Sequence, residues 1–76
     1  MRDIRFTPVA FDQYTEWQKT DKAICESINK LLKEIARTPF QGTGKPEPLK
    51  HEFKGYWSRR INDEHRLVYG ATDDYI

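Results

Sequence analysis

The sequence contains one cysteine, Cys25, so no internal disulfide can staple the fold. Only two histidines, His51 and His65, accompany it, and no Cys/His set has metal-ligand spacing. The expectation is a metal-free protein without a cofactor, in a reducing cytoplasm. No stretch approaches the ~20 apolar residues of a membrane span. MRDIRF carries positive charge with no apolar segment behind it, so no signal peptide and no membrane partner are expected. The net charge is only +1. There is no internal repeat and no low-complexity segment.

What remains is a chain of 76 residues, 37% hydrophobic and 33% charged. It reads as a single domain, residues 1–76, near the lower limit at which one core holds itself together, which makes a self-associated or partner-bound state plausible. The charge becomes informative once divided. Residues 1–36 carry six basic and six acidic side chains, whereas residues 37–66 carry seven basic against four acidic, a net of +3. A polyanion would bind that second half.

Asp3 to Phe6 alternates apolar Ile4 and Phe6 with charge, as a short strand does. Thr7-Pro8 is a helix start: the hydroxyl can accept an orphan amide, and proline has none to leave unpaired. The helix that follows reaches about Lys19, with Ala10, Phe11, Tyr14 and Trp17 as its buried stripe. Thr20-Asp21 breaks it and can cap a second helix, in which Ile24, Ile28, Leu31 and Ile35 recur at helical spacing. Pro39 turns Thr38 away from the α region and ends that helix near Arg37. Residues 38–48 hold three prolines and two glycines, an ordered-looking loop. Three strands are expected after it, at Leu49 to Phe53, Tyr56 to Ile61 and His65 to Ala71, joined by turns at Lys54-Gly55 and Asn62-Asp63-Glu64. The order β-α-α-β-β-β describes an α+β domain, two N-terminal helices packed on a small antiparallel sheet. Alternation groups Trp57, Arg59 and Ile61 on one face with Arg60 opposite, and Arg66, Val68 and Gly70 apart from Leu67, Tyr69 and Ala71.

One carboxylate, Glu47, lies among Lys45, Lys50, His51, Arg59, Arg60 and Arg66. An acid among cations suits phosphate chemistry. Cutting RNA without a metal needs a base for the 2′-OH, positive charge where the phosphorane builds and an acid for the departing 5′-oxygen. Glu47, confined between Pro46 and Pro48, suits the base, and one or two arginines the stabiliser. Each has a plainer reading: Glu47 as a solvated loop acid, one of Arg59 and Arg60 as surface charge, Arg66 in a salt bridge to a helix acid. His51 could contact phosphate or be structural, and His65 reads as a turn or surface residue. Trp57 and Tyr69 suit core packing better than base stacking, while Tyr56 suits either. Cys25, beside Ile24, reads as a small helix-packing residue.

TDKAICESINKLLKEI, then RTPFQGTGKPEPLKH, then GYWSRRINDEHRLVY, in that order and spacing, resemble the YoeB-like (Txe/YoeB) toxins of the RelE/ParE superfamily over nearly the whole chain. The resemblance implies a bacterial type II toxin that enters the A site of the 70S ribosome and cleaves mRNA there by metal-free 2′-OH attack. It implies a YefM-like antitoxin as partner, operator DNA bound only through that complex, and it allows a homodimer. By the same resemblance Glu47 of KPEPLK matches the general base and Arg66 of EHRLVY the transition-state arginine. Lys45, Lys50, His51, Arg59 and Arg60 become the expected RNA contacts.

The family continues past the TDD turn into a strand ending in a His-Tyr pair, whose histidine is the candidate acid. Nothing in these 76 residues matches it. The expectation is a fold with its final strand truncated and an activity attenuated by about 10²- to 10⁴-fold, the usual contribution of an acid. Two alternatives come from other classes: a non-catalytic nucleic-acid- or partner-binding module, and a ParE-like gyrase inhibitor.

Overall fold

Thr7 and Pro8 open the first helix as their chemistry dictates, the Thr7 hydroxyl accepting from the Ala10 amide at 3.1 Å. In the computed structural model, which describes residues 1–76, this helix, α1, spans Pro8–Thr20. Asp21 stops it and caps the next. Its amide donates to the Trp17 carbonyl, and its carboxylate accepts from the amides of Ala23 and Ile24 at the start of α2, Lys22–Arg37.

α2 supplies most of the core. Ile28, Leu31, Leu32, Ile35 and Ala36 are buried with Tyr69 and Ile76, and Cys25 is buried on the same helix. α1 packs along α2 and buries no residue completely. Tyr14 and Trp17 pack half-buried against the core, but Phe11 is exposed and meets Phe6 edge-on instead. The apolar stripe expected of α1 is thus only partly a core face, because the helix has one layer beneath it and solvent beyond.

The sheet has three antiparallel strands in the order β1 (Glu47–Pro48), β2 (Trp57–Arg60) and β3 (Arg66–Tyr69). The strand expected at Leu49 to Phe53 is a correction. Pairing begins two residues earlier, and His51–Phe53 forms a 3₁₀ turn. The reason is local: His51 takes a left-handed conformation, φ 59°, which cannot continue an extended run. Only the Leu49 amide, donating to the Tyr56 carbonyl at 2.9 Å, carries the pairing further.

The N-terminal strand candidate is reduced to a parallel bridge between Asp3 and Tyr75. The Asp3 amide donates to Asp74, the Ile76 amide to Asp3 and the Arg5 amide to Ile76, so the two ends of the chain lie side by side. The remaining expectation, two helices on an antiparallel sheet, is met.

Register settles the faces. Trp57 pairs with Tyr69 and Arg59 with Leu67, and Tyr69, Trp57 and Leu67 belong to the core packing. Ser58 pairs with both Glu47 and Val68, and Arg60 pairs with Arg66. Glu47, Ser58, Arg60, Arg66 and Val68 therefore share the face turned away from the helices.

Candidate active site

The loop that delivers Glu47 is anchored from beneath by Arg59. This side chain is fully buried, at 0% exposure. All five of its N–H groups have partners. Nε donates to the Tyr69 hydroxyl at 3.1 Å, one terminal nitrogen to Glu34 at 2.7 Å and the Thr43 carbonyl at 3.2 Å, and the other to the carbonyls of Thr38 and Gln41 at 2.6 and 3.0 Å. The Tyr69 hydroxyl in turn donates to the Pro39 carbonyl at 2.6 Å.

Glu34 completes the clamp by accepting from the Thr43 amide. Its carboxyl is held below the ordinary carboxylate range, chiefly by that amide and further by the Thr43 side chain and the Arg59 guanidinium, against the opposing effect of burial. Arg59 was expected to contact RNA. Its donors are all engaged inside the fold, and that expectation is corrected. The ion pair with a helix acid, weighed for Arg66, belongs to Arg59.

Two glycines let the loop pass this close. A Cβ on Gly42 would collide with the Glu34 carboxylate, and one on Gly44 would lie 2.9 Å from the Arg60 carbonyl oxygen. The Gly44 carbonyl in turn accepts from the Arg60 amide at 2.7 Å. Lys45 follows at φ 52°, directly before Pro46, and the chain then enters β1 at Glu47.

On the outer face Glu47 and Arg66 meet, a carboxylate oxygen 3.5 Å from a guanidinium nitrogen, with side chains 62% and 36% exposed. Arg66 is oriented by two more contacts: Nε donates to the Ser58 hydroxyl at 3.0 Å and a terminal nitrogen approaches the Lys45 carbonyl at 3.4 Å. Ser58, buried between the strands, was not foreseen; its place two residues before Arg60, on the same face of the strand, was the signal that could have found it. Arg60 lies on the same face and pairs with exposed Asp63. Lys45, Lys50 and His51 are exposed on the segments flanking β1. His65 is drawn elsewhere, its ring 5.0 Å from that of Trp17 and its Nε2 3.9 Å from Glu64.

Fold and site define a small α+β protein whose sheet presents one carboxylate amid several cations, a surface suited to handling phosphate. Residues 6–76 match the profile of the YoeB-like toxin of bacterial type II toxin-antitoxin systems, and the chain belongs to that family. It is 62% identical over 67 residues to Toxin YoeB of Escherichia coli (strain K12), across 88% of this chain and 80% of that one. Its fold matches the heterotetrameric YoeB-YefM toxin-antitoxin complex of Staphylococcus aureus with a TM-score of 0.90 at 49% identity, covering 99% of this chain and 87% of that one. It matches the YoeB dimer from Staphylococcus aureus at 0.91 and 49%, covering 97% and 86%. No helix is long and apolar enough to cross a membrane.

Proposed function

We propose that the protein is a cytoplasmic, ribosome-dependent endoribonuclease in which Glu47 is the general base and Arg66 the transition-state stabiliser. The observation that carries this reading is the Glu47–Arg66 pair, joined at 3.5 Å on the solvent face of the sheet. Glu47 takes the proton of a substrate 2′-OH. The 2′-oxygen attacks the adjacent phosphorus, and Arg66 shares the charge of the phosphorane. The P–O bond to the 5′-oxygen then breaks, leaving a 2′,3′-cyclic phosphate and a 5′-OH.

The departing 5′-oxygen takes up a proton as that bond breaks, and His65, held against Trp17 and 3.9 Å from Glu64, is not the group that gives it. Arg60, Lys45, Lys50 and His51 hold flanking phosphates. The backbone of Glu47 is held by its loop, but a side chain this open is not aligned with a substrate by its own protein alone. The ribosome supplies that alignment by fixing the messenger in its A site.

The partners follow from family membership. A YefM-like antitoxin neutralises the protein and, in complex with it, represses the shared operon by binding operator DNA. A homodimer is the free form, and apolar Val9 and Phe11 on the outer side of α1 are consistent with one. The test is Glu47→Ala with two readouts, growth arrest in cells and mRNA cleavage with and without ribosomes. Both are expected to be lost. Unchanged arrest would replace the nuclease reading by a binding module, and equal cutting of free RNA would remove the ribosome from it.

A further inference from the structure

Beside the Glu47–Arg66 pair the outer face of the sheet changes from polar to apolar. The pairing ends at Trp57–Tyr69, and one position beyond it the Tyr56 ring lies over Gly70. Two paired rows continue this face, Ser58 with Val68 and Glu47, then Arg60 with Arg66, and Tyr56 over Gly70 extends it by one. Rows on one face are about 6.8 Å apart, two residues of extended chain. Tyr56 is thus one row from Glu47 and two from Arg66.

The ring covers the space that a side chain at Gly70 would take. A Cβ there would lie 3.2 and 3.3 Å from two of its ring carbons. Tyr56 nevertheless remains 50% exposed, and Val68 beside it is 55% exposed. Phe53, Tyr56, Arg66, Val68 and Gly70 line parts of one concave surface. The ring therefore has one side supported by backbone and another open to solvent, next to cations that attract phosphate.

We infer that Tyr56, seated on Gly70 and flanked by Val68, is a stacking platform for a nucleobase of the RNA held at the Glu47–Arg66 pair. This rests on the nuclease reading and extends it to a base-binding subsite. A flat aromatic face suits any base, because every base has a π-face, so the subsite adds affinity and register with little sequence preference. Neighbouring Arg60, Arg66, Lys45 and Lys50 favour a nucleotide over an apolar peptide as the occupant.

The test separates base from phosphate. Adenosine 5′-monophosphate and ribose 5-phosphate are titrated into the full chain by NMR, with Tyr56→Ala and Tyr56→Trp as variants. The expected result is tighter binding of the nucleotide than of the sugar phosphate. Tyr56→Ala should weaken the nucleotide by about 5- to 150-fold, the range for losing one stacked base, and leave ribose 5-phosphate unchanged. Tyr56→Trp should restore the difference, which a merely structural defect would not allow.

Equal binding of the two ligands by the parent chain would overturn the proposal. So would an equal loss of both in Tyr56→Ala, or failure of Tyr56→Trp to rescue. Neither ligand is cleaved in this experiment, so its outcome is independent of the growth-arrest test on Glu47→Ala. Retained arrest there would remove the nuclease reading and not the stacking.

Discussion

Replacing Arg59 by methionine keeps the length of the side chain and removes the guanidinium. It strands the Glu34 carboxylate, the carbonyls of Thr38, Gln41 and Thr43, and the Tyr69 hydroxyl, all of which now accept from it. Removing one partner of a buried, hydrogen-bonded ion pair costs about 3–5 kcal/mol, less than a sum over five bonds because such losses are not additive. A chain of 76 residues has on the order of 4–11 kcal/mol of stability in all. Arg59→Met should therefore take about a quarter or more of it and lower the melting temperature by roughly 12–40 °C. Arg59→Lys keeps the charge but offers three donors without the planar fork, so its loss should be smaller, about 1–3 kcal/mol. Urea denaturation followed by circular dichroism reads both. Were Arg59 an RNA contact, Arg59→Met would leave stability within about 1 kcal/mol of the parent. That result, with weakened RNA binding, would refute the clamp.

The Glu34 carboxyl titrates below its ordinary value of 4.5 in the fold, because the Thr43 amide and then Arg59 favour its charged form. A depressed folded value means stability present above that ordinary value and lost as the pH falls through the folded one, so denaturation midpoints should fall on acidification below about pH 4.5 and Glu34→Gln should flatten that slope. Gly44→Ala places a Cβ 2.9 Å from the Arg60 carbonyl at a φ of +86° and should cost about 1–3 kcal/mol or more in a thermal melt. Gly55→Ala, also at positive φ but with nothing within 4 Å, should cost less, which isolates the backbone collision. Glu47→Ala should reduce ribosome-dependent cleavage by about 10²- to 10⁴-fold, and Arg66→Ala by about 10²- to 10³-fold. Because the pair is exposed, Glu47→Ala should change stability by less than about 1 kcal/mol, so a purified variant that unfolds would contradict this division of roles.

Where local chemistry decides the structure, the sequence was readable. Thr7-Pro8 and Asp21 cap the helices as their side chains require, and the four-three-four spacing of Ile24, Ile28, Leu31 and Ile35 became the face that fills the core. The segment LKHEF misled because Leu49 and Phe53 satisfy a period of two, whereas His51 turns to positive φ under constraints no propensity records. Arg59 was half legible. Alternation groups it with Trp57 and Ile61 on what proves to be the core face, but four of its five acceptors lie 16 to 25 residues earlier along the chain, and three of those are backbone carbonyls. A charge bound by main-chain groups leaves no pattern in side-chain types. The closeness of Glu47 and Arg66 was likewise visible only as a pair of matches to a family and not as a contact, because it depends on a register that places both beside Ser58.

Adjacent arginines on one strand thus divide the labour of the site. Arg59 reaches inward and holds the carbonyls of Thr38, Gln41 and Thr43, while the backbone amide of Arg60 holds Gly44 and its side chain stays on the outer face. The loop is therefore tied to α2 and β2 up to the residue before Lys45. There the chain accepts a positive φ ahead of a proline, a conformation that costs about 1–3 kcal/mol and persists only where its surroundings enforce it. Pro46 and Pro48 then restrict the backbone on either side of Glu47. An exposed carboxylate with this much support beneath it keeps a fixed backbone position while its side chain remains open to substrate. That is the arrangement the general base of the proposed mechanism needs, where the ribosome is proposed to supply the other half of the alignment.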